Sequence, residues 1–197
     1  MARPRTFDEP DVVTRAMELF WTRGYEATSV ADLTAALGVH PGSLYRTFGD
    51  KHALFLRAIE RYKDVYGSQL VPGLLAGGPV LARIRAVLIG YLKLAAEQQC
   101  PRGCLVANAA GELLPGDPEV ARGVAEVFAM VEDGFLQGLR VAASRGEISA
   151  DLDLPACAAM ITMLIEGLQV IVKVDPDPMR LVRAVDTALL ALAPAPG

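Results

Sequence analysis

Residues able to do chemistry are few in this chain, and their placement limits what they can do. Among 197 residues there are two histidines, His40 and His52, and three cysteines, Cys100, Cys104 and Cys157. A zinc site takes about three or four nitrogen, sulfur or carboxylate ligands. Cys100 and Cys104 form a close pair, but both histidines lie in the first 52 residues, so the pattern does not make a metal site. There is no phosphate-cradling glycine loop and no established catalytic motif, which argues against an enzyme and implies no cofactor. The stretch from Gly38 to Lys51 is different. Gly38-Val39-His40 forms a three-residue turn between two short stretches with helical spacing. The second opens with small or polar groups, His40-Pro41-Gly42-Ser43, and sets Leu44 and Phe48 one turn apart on its inner side. These are the dimensions of a helix-turn-helix, whose second helix enters a major groove about 12 Å wide, leading end first. Tyr45 and Arg46 then lie where a duplex backbone would run. Lys51 adds a positive charge at the start of the next helix, where the helix dipole already favours an anion such as phosphate. The same spacing also fits a helical hairpin inside any all-α protein.

The elements that must hold this turn are legible in the composition. Thirty Ala and 26 Leu make up more than a quarter of the chain, and both are strong helix formers. Alternating polar and apolar runs are nearly absent, so the chain reads as all-α. Asp8 is positioned to cap a first helix bearing Val13, Ala16, Leu19 and Phe20, which Gly24 ends. Ser29-Val30-Ala31-Asp32 reads as a capping-box start for a second. Gly38 supplies the positive φ that a tight turn needs, and Asp50 caps a long fourth helix. Pro72-Gly73 and Gly77-Gly78-Pro79 read as breaks. Beyond them, stripes from Val80, from Cys104, after Asp117-Pro118, after Pro155 and after Asp177-Pro178 bring the count to about nine helices.

Charge and hydropathy bound the class. Residues 1–63 carry nine Lys and Arg against eight Asp and Glu, and residues 64–197 carry ten against fifteen. Net charge alone would not suggest a nucleic-acid partner. Arg3 and Arg5 sit on an N-terminal arm, while Arg46 and Lys51 flank the third helix. The most apolar window, 154–174, is interrupted by Glu166, Gln169 and Lys173, which suits a helix packed among helices better than one in lipid. With no secretory pattern and only three cysteines, a reducing cytoplasm and no membrane association are expected.

Leu19-Phe20, Gly24-Tyr25, Thr28-Ser29, Leu33, Ala36, Gly38-Val39, Gly42-Ser43-Leu44-Tyr45, Phe48, Lys51 and Leu54 resemble the N-terminal signature of TetR-family transcriptional regulators. The match extends over about forty residues. The resemblance implies a homodimer of nine-helix subunits. Residues 1–50 would form the DNA-binding domain and residues 51–197 the effector-binding and dimerisation domain, with the last two helices making the dimer interface. It further implies that Thr28, Ser29, Tyr45 and Lys51 meet phosphate, and that Pro41, Gly42, Ser43 and Arg46 face the groove of a near-palindromic operator. His40 stands where such proteins often carry serine. It either reaches a phosphate or base or is a solvated surface residue.

The C-terminal half is read more coarsely. Tyr66, Tyr91, Asn108, Met130 and Phe135 lie on apolar helix faces, as walls of a pocket for a small-molecule effector or as ordinary core. Glu166, set amid Met163, Leu164 and Leu168, lines that pocket, pairs across a dimer or points to water. Gly103-Cys104-Leu105 followed by Asn108 is similar to a subgroup of electrophile- and oxidant-responsive TetR repressors. At a helix N-terminus near Arg102, Cys104 would gain thiolate character; the alternative is a buried, inert thiol. Cys157 reads as packing. A non-catalytic carrier of hydrophobic molecules is the competing class, but it leaves Gly38 to Lys51 without a role.

Overall fold

The computed structural model describes residues 7–97, 101–174 and 177–193, and these residues contain helices and turns and no strand. The elements are α1 (Glu9–Arg23), α2 (Val30–Leu37), α3 (Pro41–Phe48), α4 (Lys51–Tyr66), α5 (Leu70–Leu75), α6 (Val80–Glu97), α7 (Leu105–Leu113), α8 (Pro118–Ser144), α9 (Leu154–Ile171) and α10 (Pro178–Leu190). The nine expected helices are all present. The short α5 is additional and runs through the expected break at Pro72-Gly73. Pro72 falls in the first turn of α5, where a missing N–H costs no intrahelical bond. The arm carrying Arg3 and Arg5, together with Cys100, lies outside the described residues.

Local chemistry sets the helix ends. Ser29 and Asp32 form a reciprocal box: the Asp32 N–H donates to Ser29 Oγ at 3.1 Å, and the Ser29 N–H donates to Asp32 Oδ2 at 2.9 Å. This satisfies two of the donors that a helix start leaves open. Gly38 closes α2 in the left-handed conformation, φ 66° and ψ 28°. Asp50 Oδ1 accepts from the Ala53 N–H at 2.7 Å. Asp153 and Asp177 cap α9 and α10, each with a proline in the first turn. Asp8 starts α1 without a side-chain cap bond.

The chain divides into two compact units, Met1–Val65 with Leu105–Ala125, and Tyr66–Cys104 with Glu126–Gly197. This division differs from a cut at residue 50. Three short helices bury too little apolar surface to be stable alone, and α4 and the 105–125 segment complete their core. Val12, Val13, Ala16, Met17 and Phe20 of α1 are buried, as are Leu33 and Leu37 of α2 and Leu44 and Phe48 of α3. From α4 come Leu54, Phe55, Ala58 and Ile59, and from the later segment Leu105, Val106, Ala109, Val120 and Val124. Phe55 meets Phe20 edge-on at 5.0 Å between ring centroids and Tyr25 at 4.7 Å.

The second unit has its own core, in which Leu74, Ile84, Leu88, Phe135, Leu139, Ile161, Leu168, Leu181 and Val185 are buried together. Arg85 on α6 donates to both carboxylate oxygens of Asp186 on α10, at 2.6 and 3.0 Å. By length and composition α9 could cross a membrane. Its inner residues, Ala158, Ile161 and Leu168, are instead part of this core.

Candidate functional site

The turn and α3 separate an anchoring face from a presenting face. Leu44 and Phe48 are buried against the first unit's core, while Pro41, Gly42, Tyr45 and Arg46 are exposed and Ser43 is half-buried. Tyr45, at 46 % exposure, presents a large ring to solvent from a helix whose opposite side is fully packed. The inner face therefore anchors α3 to the core, and the outer face is free to meet a ligand.

His40 caps α3: the Gly42 N–H donates to His40 Nδ1 at 3.2 Å. With Nδ1 acting as acceptor, the proton of the neutral ring sits on Nε2, where it can donate outward. The ring is exposed, so capping and contact with a partner are compatible in one side chain.

Lys51 lies in the first turn of α4 with Nζ 4.1 Å from the centroid of the Tyr25 ring. A helix N-terminus disfavours a cation. The ring face offsets part of that penalty and holds the ammonium in place. Ser29 is exposed at the start of α2, with its hydroxyl engaged in the capping box. Thr28 corrects an expectation. It is 0 % exposed, and its hydroxyl donates to the Gly24 carbonyl at 2.6 Å. That side chain closes the α1–α2 turn from inside and cannot offer its hydroxyl to a phosphate.

Three contacts that hold this module went unread in the sequence. Arg15 of α1 donates to the Leu37 carbonyl at 3.3 Å and to the Ala36 carbonyl, placing a cation at the C-terminus of α2 where the dipole welcomes one. Glu112 of α7 accepts the Glu26 N–H at 3.0 Å. Asp117, the cap of α8, meets His52 Nε2 at 2.6 Å. The Val120 N–H is the largest influence holding Asp117 below the usual carboxylate range, and His52 adds to it. Arg15 lies 22 residues from Leu37, and the carboxylates lie 86 and 65 residues from their partners, so none of the three leaves a local trace.

Of the expected effector residues, the second unit brings three together. The Glu166 carboxyl is pushed up by burial, with part of the effect offset by the neighbouring Cys104 thiol. The Tyr91 hydroxyl is pushed up to about 12, first by burial and then by Cys104 and Glu166. Gln169 Nε2 donates to Glu166 Oε1 at 3.3 Å, and Glu166 Oε2 is buried with no hydrogen-bond partner among the described residues. Cys104 is only 3 % exposed and sits beside an acid. Burial of this kind fits the inert-thiol alternative. Cys157 is half-buried on α9.

The remaining expected wall residues separate. Phe135 is fully buried in the second unit's core and is packing. Met130 packs against Gly67, where a Cβ would collide with its Sδ, and Tyr66 is partly exposed, at 43 %. Asn108 belongs to the first compact unit, on α7. An open, charge-lined cavity of about 390 Å³ lies between α1 and α4, bordered by Glu9, Arg57, Glu60, Arg61 and Asp64. It contains none of the expected residues.

Comparison with known proteins bears on the whole chain. Residues 12–58 match the family model described as bacterial regulatory proteins, tetR family, and residues 80–188 match the tetracyclin repressor-like C-terminal domain. The HTH-type transcriptional regulator YezE of Bacillus subtilis (strain 168) is 35% identical over 98% of this chain and 100% of its own length. The HTH-type transcriptional repressor ComR of Escherichia coli (strain K12) is 29% identical over 95% of this chain and 90% of its own. Among solved structures, a cysteine mutant of the TetR family transcriptional regulator CifR, complexed with 26-bp double-strand operator DNA, superposes with a TM-score of 0.83. Its identity is 32%, over 97% of this chain and 100% of that one. With both halves matched, and with α2, the Gly38 turn and α3 in helix-turn-helix arrangement, the chain belongs to the TetR family of bacterial regulatory proteins.

Proposed function

We propose that this chain is a homodimeric DNA-binding transcriptional repressor, released from its operator by a small-molecule effector. The observation that carries the reading is the two-sided character of α3: Leu44 and Phe48 lock it to the core while Pro41, Gly42, Tyr45 and Arg46 project outward. Pro41, Gly42, Ser43 and Arg46 face base edges, with His40 Nε2 as a further donor at the groove's rim. Tyr45, Lys51 and the exposed start of α2 at Ser29 meet phosphates. Phosphate contacts set register and affinity, and base contacts set sequence preference.

Support for the dimer comes from the apolar surface of the last two helices. Met163 and Val170 on α9, Val174 beyond its end, and Met179 and Leu190 on α10 are exposed, Val174 at 84 %. Large apolar groups left exposed along both helices support an association surface there. A two-fold pair of α3 helices fits half-sites roughly 34–36 Å apart or somewhat more, hence a near-palindromic operator. Such a protein works on the chromosome, in the cytoplasm. The polar group of half-buried Tyr91 and Glu166 with buried Cys104 and Gln169 supports an effector site in the second unit, since it supplies donors and acceptors that would orient a ligand beside an apolar interior.

A gel shift with DNA from upstream of this protein's own gene tests the reading. Specific retention of one near-palindromic segment over random duplex is the expected result. Equal retention of every duplex, or none, would overturn it.

A further inference from the structure

Gly24, Glu26 and His52 of the reading module are each met by a carboxylate from the distant 105–125 segment of the same compact unit. Glu112 Oε2 accepts the Glu26 N–H at 3.0 Å on the turn joining α1 to α2. Gly24, with φ +87°, lies so close that a Cβ there would collide with Glu112 Oε1. Thr28 closes the same turn through its bond to the Gly24 carbonyl. At the other edge, His52 in the first turn of α4 meets Asp117 at 2.6 Å, with Glu119 Oε2 4.0 Å from its other ring nitrogen. Asp117 simultaneously caps α8 through the Glu119 and Val120 N–H groups. One segment therefore grips the entry to α2 and the start of α4, the two elements that bracket α3.

We propose that Glu112, together with the His52–Asp117 pair, is a positioning device for operator recognition: it sets the orientation in which the α2–α3 pair is offered to DNA while touching no DNA itself. This rests on the operator-binding reading above. The physical reason is the shortness of the module. Eight-residue α2 and α3 are each held by two buried apolar residues, Leu33 and Leu37, and Leu44 and Phe48. So few anchors leave a rocking freedom that a polar clamp at both ends removes. Phosphate contacts tolerate such rocking, whereas base contacts, which need fixed distances, do not.

The test begins by selecting an operator from a randomised duplex pool with the wild-type protein, then measures affinity for that operator and for random duplex. Glu112→Ala removes the acceptor, while Glu112→Gln changes the charge equally but keeps a carbonyl oxygen for the Glu26 N–H. The expected result is a loss of about tenfold in the operator-to-random ratio for Glu112→Ala, with Glu112→Gln within about twofold of wild type. His52→Ala, which leaves the Asp117 cap on α8 intact, should lower the ratio in the same direction. A merely structural role would reduce the active fraction and weaken both duplexes alike, leaving the ratio unchanged. An unchanged ratio in Glu112→Ala and His52→Ala overturns the proposal. Should Glu112→Ala fail to fold, amide hydrogen exchange in the wild type decides: a Glu26 N–H as fast as its exposed neighbours removes the clamp. If no duplex is enriched in the selection, it is the repressor reading that falls.

Discussion

Glu166 sits in surroundings at odds with a carboxylate's ordinary preference for water. One of its oxygens has Gln169 as a donor, the other is buried with no partner among the described residues, and burial raises its pKa. Folding therefore favours the protonated form. A group with a raised folded pKa leaves stability intact below its unfolded value, about 4.3, and costs stability progressively as pH rises above that. Glu166→Gln should raise the melting temperature at pH 7–8, with the gain shrinking towards pH 4. A pH series of thermal unfolding measures this, and an equal gain at both ends would contradict it. Lys51 makes a prediction of a different kind. Its ammonium, from the first turn of α4, is stacked on the Tyr25 ring. Removing one phosphate-contacting cation lowers the dependence of log affinity on log salt by about one unit per contact. Lys51→Ala should weaken binding to all duplexes alike and flatten that slope, and salt titrations of mutant and wild type with parallel lines would remove Lys51 from the phosphate contacts.

At the scale of elements, the turn between α2 and α3 depends on one backbone conformation. Gly38 adopts φ 66°, ψ 28°, and a Cβ there would meet nothing within 4 Å. The cost of Gly38→Ala is thus purely that of placing an L-residue in the left-handed region, about 1–2 kcal/mol. Chemical denaturation should show that loss with an unchanged slope, and a loss well beyond it would mean that space, not backbone, is limiting. The capping box of α2 and the left-handed end at Gly38 were readable because both are local, formed between residues three to four apart. Thr28 was not. Its neighbour Ser29 is exposed, and only the way α1 and α4 fold over the turn decides which of the two faces inward. Phe135 shows the same limit, since a helix stripe identifies a buried face but does not distinguish a pocket wall from close-packed core.

At the scale of the whole molecule, association is the question the exposed apolar surface poses. Met163 is 68 % exposed and Val170 54 % on the same helix whose other side fills the second unit's core. Charges introduced there should be tolerated by the subunit but not by a partner surface. Met163→Glu with Val170→Glu should give a folded monomer in sedimentation, with operator affinity lowered by a factor of a hundred or more, on the order of what linking two half-site contacts supplies. A dimer of undiminished stability would place the interface elsewhere.

Local pattern in the chain set the all-α class, the ends of nearly every helix and the tight turn at Gly38 between two short helices, which the family resemblance alone singled out as a helix-turn-helix. Each of these follows from periodicity, capping chemistry and turn residues acting within a few positions. Packing of distant helices was needed to show that α4 and residues 105–125 complete the reading module, that Thr28 is sealed inside it, that half-buried Tyr91 and Glu166 gather around buried Cys104, and that Glu112 and Asp117 grip Glu26 and His52. Such pairings join residues tens of positions apart, and burial and reach are set by the packing of whole helices, which no local pattern encodes.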